Sequence, residues 1–132
     1  MLSENVSLFK DQFDQTVKMW VWEETLSDGR LLSKVINDTR ENVKYLPGVK
    51  LPSNLLAVTD LEKASENATL LVFVLPHQFV EKACKTIRKA LHSNARAISL
   101  IKGIDSPNDS NSLILVSDQI KSLLNGKIDV AV

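Results

Sequence analysis

The run Leu70-Leu-Val-Phe-Val-Leu75 constrains the fold more than any other stretch of the chain. Six apolar residues without polar alternation suit a strand covered on both faces, as in a parallel sheet with helices on either side. The run therefore reads as a central strand. Further strand-like apolar runs occur at residues 17–22, Leu55–Val58, 96–101 and 128–132. Between them, residues 30–37 place Leu31, Leu32, Val35 and Ile36 on one helical face. Residues 78–91 do the same with Phe79, Val80, Ala83, Cys84, Ile87 and Leu91, so both segments predict amphipathic helices. Asp60 before Leu-Glu-Lys marks another helix start, because its carboxylate can accept a first-turn amide. A fourth helix spans 112–124 and closes at Asn125-Gly126, where glycine tolerates a left-handed cap. Strand and helix alternate throughout, which predicts an α/β domain with a mainly parallel sheet and flanking helices.

A length of 132 residues suits one domain, and 44% hydrophobic with 24% charged residues suits a packed core rather than a disordered chain. Sixteen basic and sixteen acidic residues cancel, so no global field draws the chain to nucleic acid or an anionic membrane. Cys84 is the only cysteine, which excludes an intrachain disulfide and a cysteine-rich metal site. The start, MLSENVSLFKDQF, lacks the pattern of a secretory leader, and no apolar run approaches the roughly 18 residues of a membrane span. A soluble, cytoplasmic protein without membrane or nucleic-acid partners is expected.

Ligands of open parallel sheets bind at the carboxyl ends of strands, which directs attention to the residues just past each run. Residues 17–22 lead into Glu23-Glu24. An acidic residue there can meet adenosine ribose hydroxyls, or can cap the next helix, and the Trp22 indole can pack beside an adenine. The central run leads into Pro76-His77-Gln78-Phe79, whose helix start offers backbone N–H groups to a polar cofactor atom. Phe79 is either a core residue of the helix face or a ring that stacks on a planar ligand. His77 alone is more simply a structural histidine than a proton-transfer group. Residues 96–101 deliver Lys102, which is either a solvated cation beside Gly103 or a charged donor to a phosphate or substrate oxygen.

Four segments together carry a resemblance: Met19-Trp-Val-Trp-Glu-Glu24, Asn42-Val-Lys-Tyr-Leu-Pro-Gly48, Val74-Leu-Pro-His-Gln-Phe79 and Ile98-Ser-Leu-Ile-Lys-Gly103. In order and interval they resemble the NAD-dependent glycerol-3-phosphate dehydrogenases of the eukaryotic cytosolic type, from about Asn5 to Val132. The resemblance implies a Rossmann-like fold, NAD as cofactor, and glycerol 3-phosphate or dihydroxyacetone phosphate as substrate, with a homodimer usual in the family. It implies that Trp22, where the family usually has phenylalanine, and Phe79 contact NAD. It also implies that Lys102 binds substrate.

Two departures from the family pattern shape the expectation. The family opens with a strand and a Gly-x-Gly-x-x-Gly turn before the segment matching residues 4–13, whereas Gly29, Gly48, Gly103 and Gly126 are each isolated. The resemblance thus implies an incomplete Rossmann-like sheet that lacks its first strand, which normally lies between the strands at 17–22 and 70–75. The family also continues beyond the segment matching Val132 into a helical catalytic domain that supplies its principal catalytic lysine and phosphate-binding arginine. Residues 1–132 are accordingly expected to be a partial NAD-binding domain, inactive alone. A non-catalytic remnant that binds a nucleotide or a partner protein is the alternative.

Overall fold

The structure, a computed structural model, describes residues 2–101, 104–105, 114–126 and 128–132. The chain divides into two compact units, residues 1–60 and 61–132, each with its own parallel sheet. Among the described residues no helix is long and apolar enough to cross a membrane.

The first unit contains helix α1 (Leu2–Leu8), strand β1 (Val17–Trp20), helix α2 (Leu32–Thr39) and strand β2 (Leu55–Val58). β1 and β2 pair in parallel from Val17↔Leu55 to Trp20↔Val58. One further bond, Val21 N–H to the Val58 carbonyl at 3.0 Å, ends the ladder. That is why the strand stops at Trp20, short of the apolar run's end at Trp22: β2 has no more residues to offer. Leu32 and Ile36 of α2 bury against Ala57, with Met19, Val21, Leu26 and Leu51 packed around them. The helix begins where the Leu32 N–H meets the Glu24 carbonyl at 2.8 Å, and ends at Arg40 in the left-handed region, φ 56°. The sequence pattern did not foretell α1. Asn54, just before β2, donates to the carbonyls of Ser3 and Gln15 at 2.8 and 2.9 Å and ties this helix to the sheet.

The second unit runs α3 (Leu61–Ser65), β3 (Leu70–Phe73), a 3-10 turn at His77–Phe79, α4 (Val80–Ile87) and β4 (Arg96–Ser99). It continues through a short antiparallel pair, β5 (Ile104–Asp105) and β6 (Ile114–Leu115), then α5 (Val116–Leu123) and β7 (Asp129–Ala131). The sheet order is β3-β4-β7, all parallel, so β4 is its middle strand. β3 stands at the edge of this sheet and leaves Leu70 42% exposed, although the unbroken run suggested a central strand. An apolar run carries no information on whether a second strand is hydrogen-bonded alongside.

Val80, Cys84, Ile120 and Leu124 have no exposed surface and form the centre of this unit's core, where α4 meets α5. α5 closes as expected, with a refinement: Asn125 and Gly126 both take positive φ, at 59° and 63°. The Asn125 N–H bonds to the Ser122 carbonyl at 3.0 Å and the Gly126 N–H to the Lys121 carbonyl at 2.9 Å. Asparagine, the non-glycine residue most tolerant of this region, therefore takes the first left-handed position itself.

Burial pushes the Cys84 thiol up to about 12. The folded state thus holds a neutral thiol at a pH where the unfolded chain would ionise. This contribution to stability is complete below about pH 9 and is lost as the pH rises towards 12. In native buffer at about pH 8, where an ordinary thiol is already partly ionised, Cys84 is expected to react with a thiol reagent only as fast as the unit opens. Stoichiometric labelling within seconds, without denaturant, would contradict that.

Candidate functional site

At the carboxyl end of β1 the chain leaves the sheet through Val21, Trp22, Glu23 and Glu24. The Trp20 indole N–H donates to the Thr59 carbonyl at 3.0 Å, fixing that ring across the ends of both strands. Trp22 meets it edge to face, with centroids 6.5 Å apart, and remains 68% exposed. A large aromatic surface is thus held at the carboxyl edge of the sheet without being part of the core.

The carboxylates of Glu23 and Glu24 are already engaged. Glu23 accepts the Ser33 backbone N–H at 3.1 Å and its hydroxyl at 2.5 Å, capping a helix whose own N-cap, Leu31, has no side-chain acceptor. The Ser33 hydroxyl, and then its N–H, hold the Glu23 carboxyl below its ordinary value. Of the two roles that the sequence left open for Glu23, the structure shows helix capping. Glu24 accepts from the Lys44 ammonium and, at 2.5 Å, from the Tyr45 hydroxyl. The Lys44 bond, then the Tyr45 bond, lower the Glu24 carboxyl, and Glu24 in turn raises Lys44, so both stay charged at neutral pH.

Lys44 and Tyr45 reach Glu24 because the connection after α2 is folded. Asn42 accepts the Tyr45 N–H on its side chain at 3.1 Å and the Leu46 N–H on its carbonyl at 2.8 Å. Glu41 accepts the Gly48 N–H at 2.9 Å and pairs with Lys50 at 3.2 Å, while the Leu51 N–H closes on the Arg40 carbonyl at 2.7 Å. Gly48 has φ 79°, a conformation that a side chain would strain. The Asn42–Gly48 segment is therefore a closed excursion whose tip returns to the end of β1. Neither Lys44 nor Tyr45 stood out in the sequence as a site residue. Their only signal was membership of the Asn42–Gly48 motif, because the partner lies about twenty residues away in the chain.

In the second unit, Phe79 ends the 3-10 turn after β3 and is 50% exposed, while Val80 takes the fully buried place on the helix face. Of the two readings of Phe79, core residue or ligand-facing ring, the core reading fails. The turn uses the Phe79 and Val80 N–H groups internally, on the carbonyls of Pro76 and His77. Those two are not available to a ligand. At the carboxyl ends of β3 and β4, Val74, Leu75, Pro76, His77, Leu100 and Ile101 line a shallow, open hollow of about 370 Å³. The Leu100 N–H bonds to the Phe73 carbonyl at 3.0 Å beneath it. Lys102 lies outside the described residues. Trp22 belongs to the first unit, Phe79 to the second.

The model of the NAD-dependent glycerol-3-phosphate dehydrogenase N-terminus matches residues 2–132. The chain belongs to this family. A glycerol-3-phosphate dehydrogenase 1-like protein of Xenopus tropicalis is 48% identical over 132 residues, which is all of this chain and 36% of that protein. The human cytoplasmic glycerol-3-phosphate dehydrogenase [NAD(+)] is 50% identical over 109 residues, 83% of this chain and 30% of that one. Among solved structures, a glycerol-3-phosphate dehydrogenase from Saccharomyces cerevisiae superposes with TM-score 0.86 at 36% identity, covering 93% of this chain and 34% of that one. The chain thus spans about a third of the length of the dehydrogenases it matches. Its parallel strands and flanking helices are those of the family's Rossmann-like N-terminal domain.

Proposed function

We propose that residues 1–132 form part of the NAD-binding domain of a cytoplasmic glycerol-3-phosphate dehydrogenase, with Trp22 and Phe79 contacting the cofactor and Lys102 the substrate. The observation that carries this reading is the placement of exposed aromatic rings just past the carboxyl ends of parallel strands, where such sheets bind ligands. Each ring by itself suits a flat part of such a cofactor. The indole of Trp22 offers a face to the adenine, and Phe79 stands at the start of α4, just after the open hollow at the ends of β3 and β4. When bound, NAD supplies the nicotinamide carbon that exchanges a hydride with C2 of glycerol 3-phosphate. The chain's own part is to orient: aromatic faces hold the flat rings, and Lys102 donates to a substrate oxygen as a cation. The cytoplasmic assignment is supported by the name of the human relative.

Titration of the 132-residue polypeptide with NADH, followed by calorimetry, tests this. Aromatic stacking is worth about 1 to 3 kcal/mol per ring, so Trp22→Ala and Phe79→Ala should each weaken binding roughly fivefold or more. Unchanged affinity in both variants would remove these rings from the site.

A further inference from the structure

We infer that Asn125 is a site of spontaneous covalent modification gated by the fold: it stays intact while the end of α5 is closed and becomes an aspartyl or isoaspartyl residue when that end opens. Asn125 is the one asparagine of the chain that precedes a glycine. Glycine has no side chain to crowd its own nitrogen, so that nitrogen can reach the carboxamide of the residue before it. In the reaction the Gly126 nitrogen gives its proton to water or hydroxide and bonds to Cγ of Asn125. The bond from Cγ to the side-chain nitrogen breaks and ammonia leaves. Water then opens the succinimide ring, giving aspartate by attack at the side-chain carbonyl or isoaspartate by attack at the main-chain carbonyl, with no oxidation or reduction.

The closed cap holds every reacting group away from this course. The Gly126 N–H is donated to the Lys121 carbonyl at 2.9 Å, so its proton faces a carbonyl rather than a base in solvent. Asn125 is pinned at φ 59° by its own N–H on the Ser122 carbonyl at 3.0 Å, and the Arg88 guanidinium donates to its side-chain oxygen at 3.5 Å. Both residues are exposed, so hydrogen bonding guards the site and burial does not. Helix ends are among the first parts of a fold to open. Leu124 and Ile128, on either side of the pair, are both buried in the core of the second unit. An isoaspartyl residue adds a main-chain atom between these two anchors, so the cap and the entry to β7 do not re-form. One opening is thereby turned into a lasting weakening of the second unit.

The test incubates the full 132-residue chain in mildly alkaline native buffer and in urea, and follows residue 125 by peptide mapping with mass spectrometry, which separates aspartyl from isoaspartyl peptides. Conversion in native buffer should run about tenfold or more slower than in urea, since only the open fraction reacts. Ile120→Val removes one methyl group from the fully buried side chain on the last turns of α5. It should speed conversion in native buffer about two- to tenfold and leave the rate in urea unchanged. Asn67 serves as the internal control: it also has φ 59°, but Ala68 follows it, and in urea it should fall well behind Asn125. A gate can also be read without any substitution, because amide exchange of Gly126 in small, sub-denaturing steps of urea should rise in proportion to conversion. The purified isoaspartyl chain should exchange its β7 amides about fivefold faster or more, the worth of one lost hydrogen bond. Equal conversion in native buffer and urea, conversion that does not follow Gly126 exchange, Asn67 converting as fast as Asn125 in urea, or β7 amides indifferent to isoaspartate would each overturn the inference.

Discussion

A polypeptide of residues 1–132, purified free of host dehydrogenase, is expected to show no measurable NADH-dependent reduction of dihydroxyacetone phosphate. Hydride transfer needs donor and acceptor carbons held about 3 to 3.5 Å apart, and correct orientation alone can supply about 7 to 11 kcal/mol of a lowered barrier. It also needs donors aimed at the oxygen on which charge develops, each worth about 3 to 4 kcal/mol in measured cases. The hollow at the ends of β3 and β4 is lined by Val74, Leu75, Pro76, His77, Leu100 and Ile101, and among those side chains only His77 can donate a hydrogen bond. Among the described residues the hollow thus has one side-chain donor, too few to fix a substrate phosphate and polarise a carbonyl together. The yeast enzyme of known structure is about three times as long as the matched segment. A coupled assay at millimolar substrate, with the intact yeast or human enzyme as reference, gives the comparison. Turnover within about a hundredfold of the reference would show that these residues form a sufficient active site on their own.

What the sequence revealed of this arrangement depended on the range of the interactions involved. Leu55–Val58 was legible to the residue, because Pro52 and Asp60 punctuate both sides and no alternative pairing competes. The end of β1 was not, since its limit is set by the length of β2, a partner nearly forty residues away. By spacing alone Phe79 read first as core and only the family resemblance favoured a ligand contact; the 3-10 turn turns it out and gives the buried position to Val80. Glu23 and Glu24 were visible as a pair at a suggestive place. Which of them caps a helix and which holds Lys44 is tertiary information, invisible to local spacing. The family, by contrast, was legible at once, because four separate motifs in one order identify a lineage even when no single motif identifies a chemistry.

The second large effect expected is an unequal stability of the two units, with the first opening well before the second. Three buried residues, Leu32, Ile36 and Ala57, centre the core cluster of the first unit, against ten in the second. Its sheet has two strands, and a pair of strands is marginal in water unless a helix covers it, which here falls to α2. Among the described residues β1 has a hydrogen-bonded neighbour on one side only, whereas β4 lies between β3 and β7. A buried backbone group left unpaired costs about 1 to 3 kcal/mol, and a whole domain typically has a margin of about 5 to 15 kcal/mol. A few such groups along one edge would absorb most of what so small a core provides, and an open edge also invites pairing with another chain. Backbone amides of Val17–Trp20 should therefore exchange with solvent orders of magnitude faster than those of Arg96–Ser99, and urea should unfold the chain in a broad or two-step transition. Ile36→Ala, which removes about 2 to 5 kcal/mol from a buried site, should abolish protection in β1 while leaving β4 protected. A single sharp, reversible transition of a soluble monomer, with β1 and β4 protected alike, would mean that the first unit draws its stability from something other than its own core and sheet.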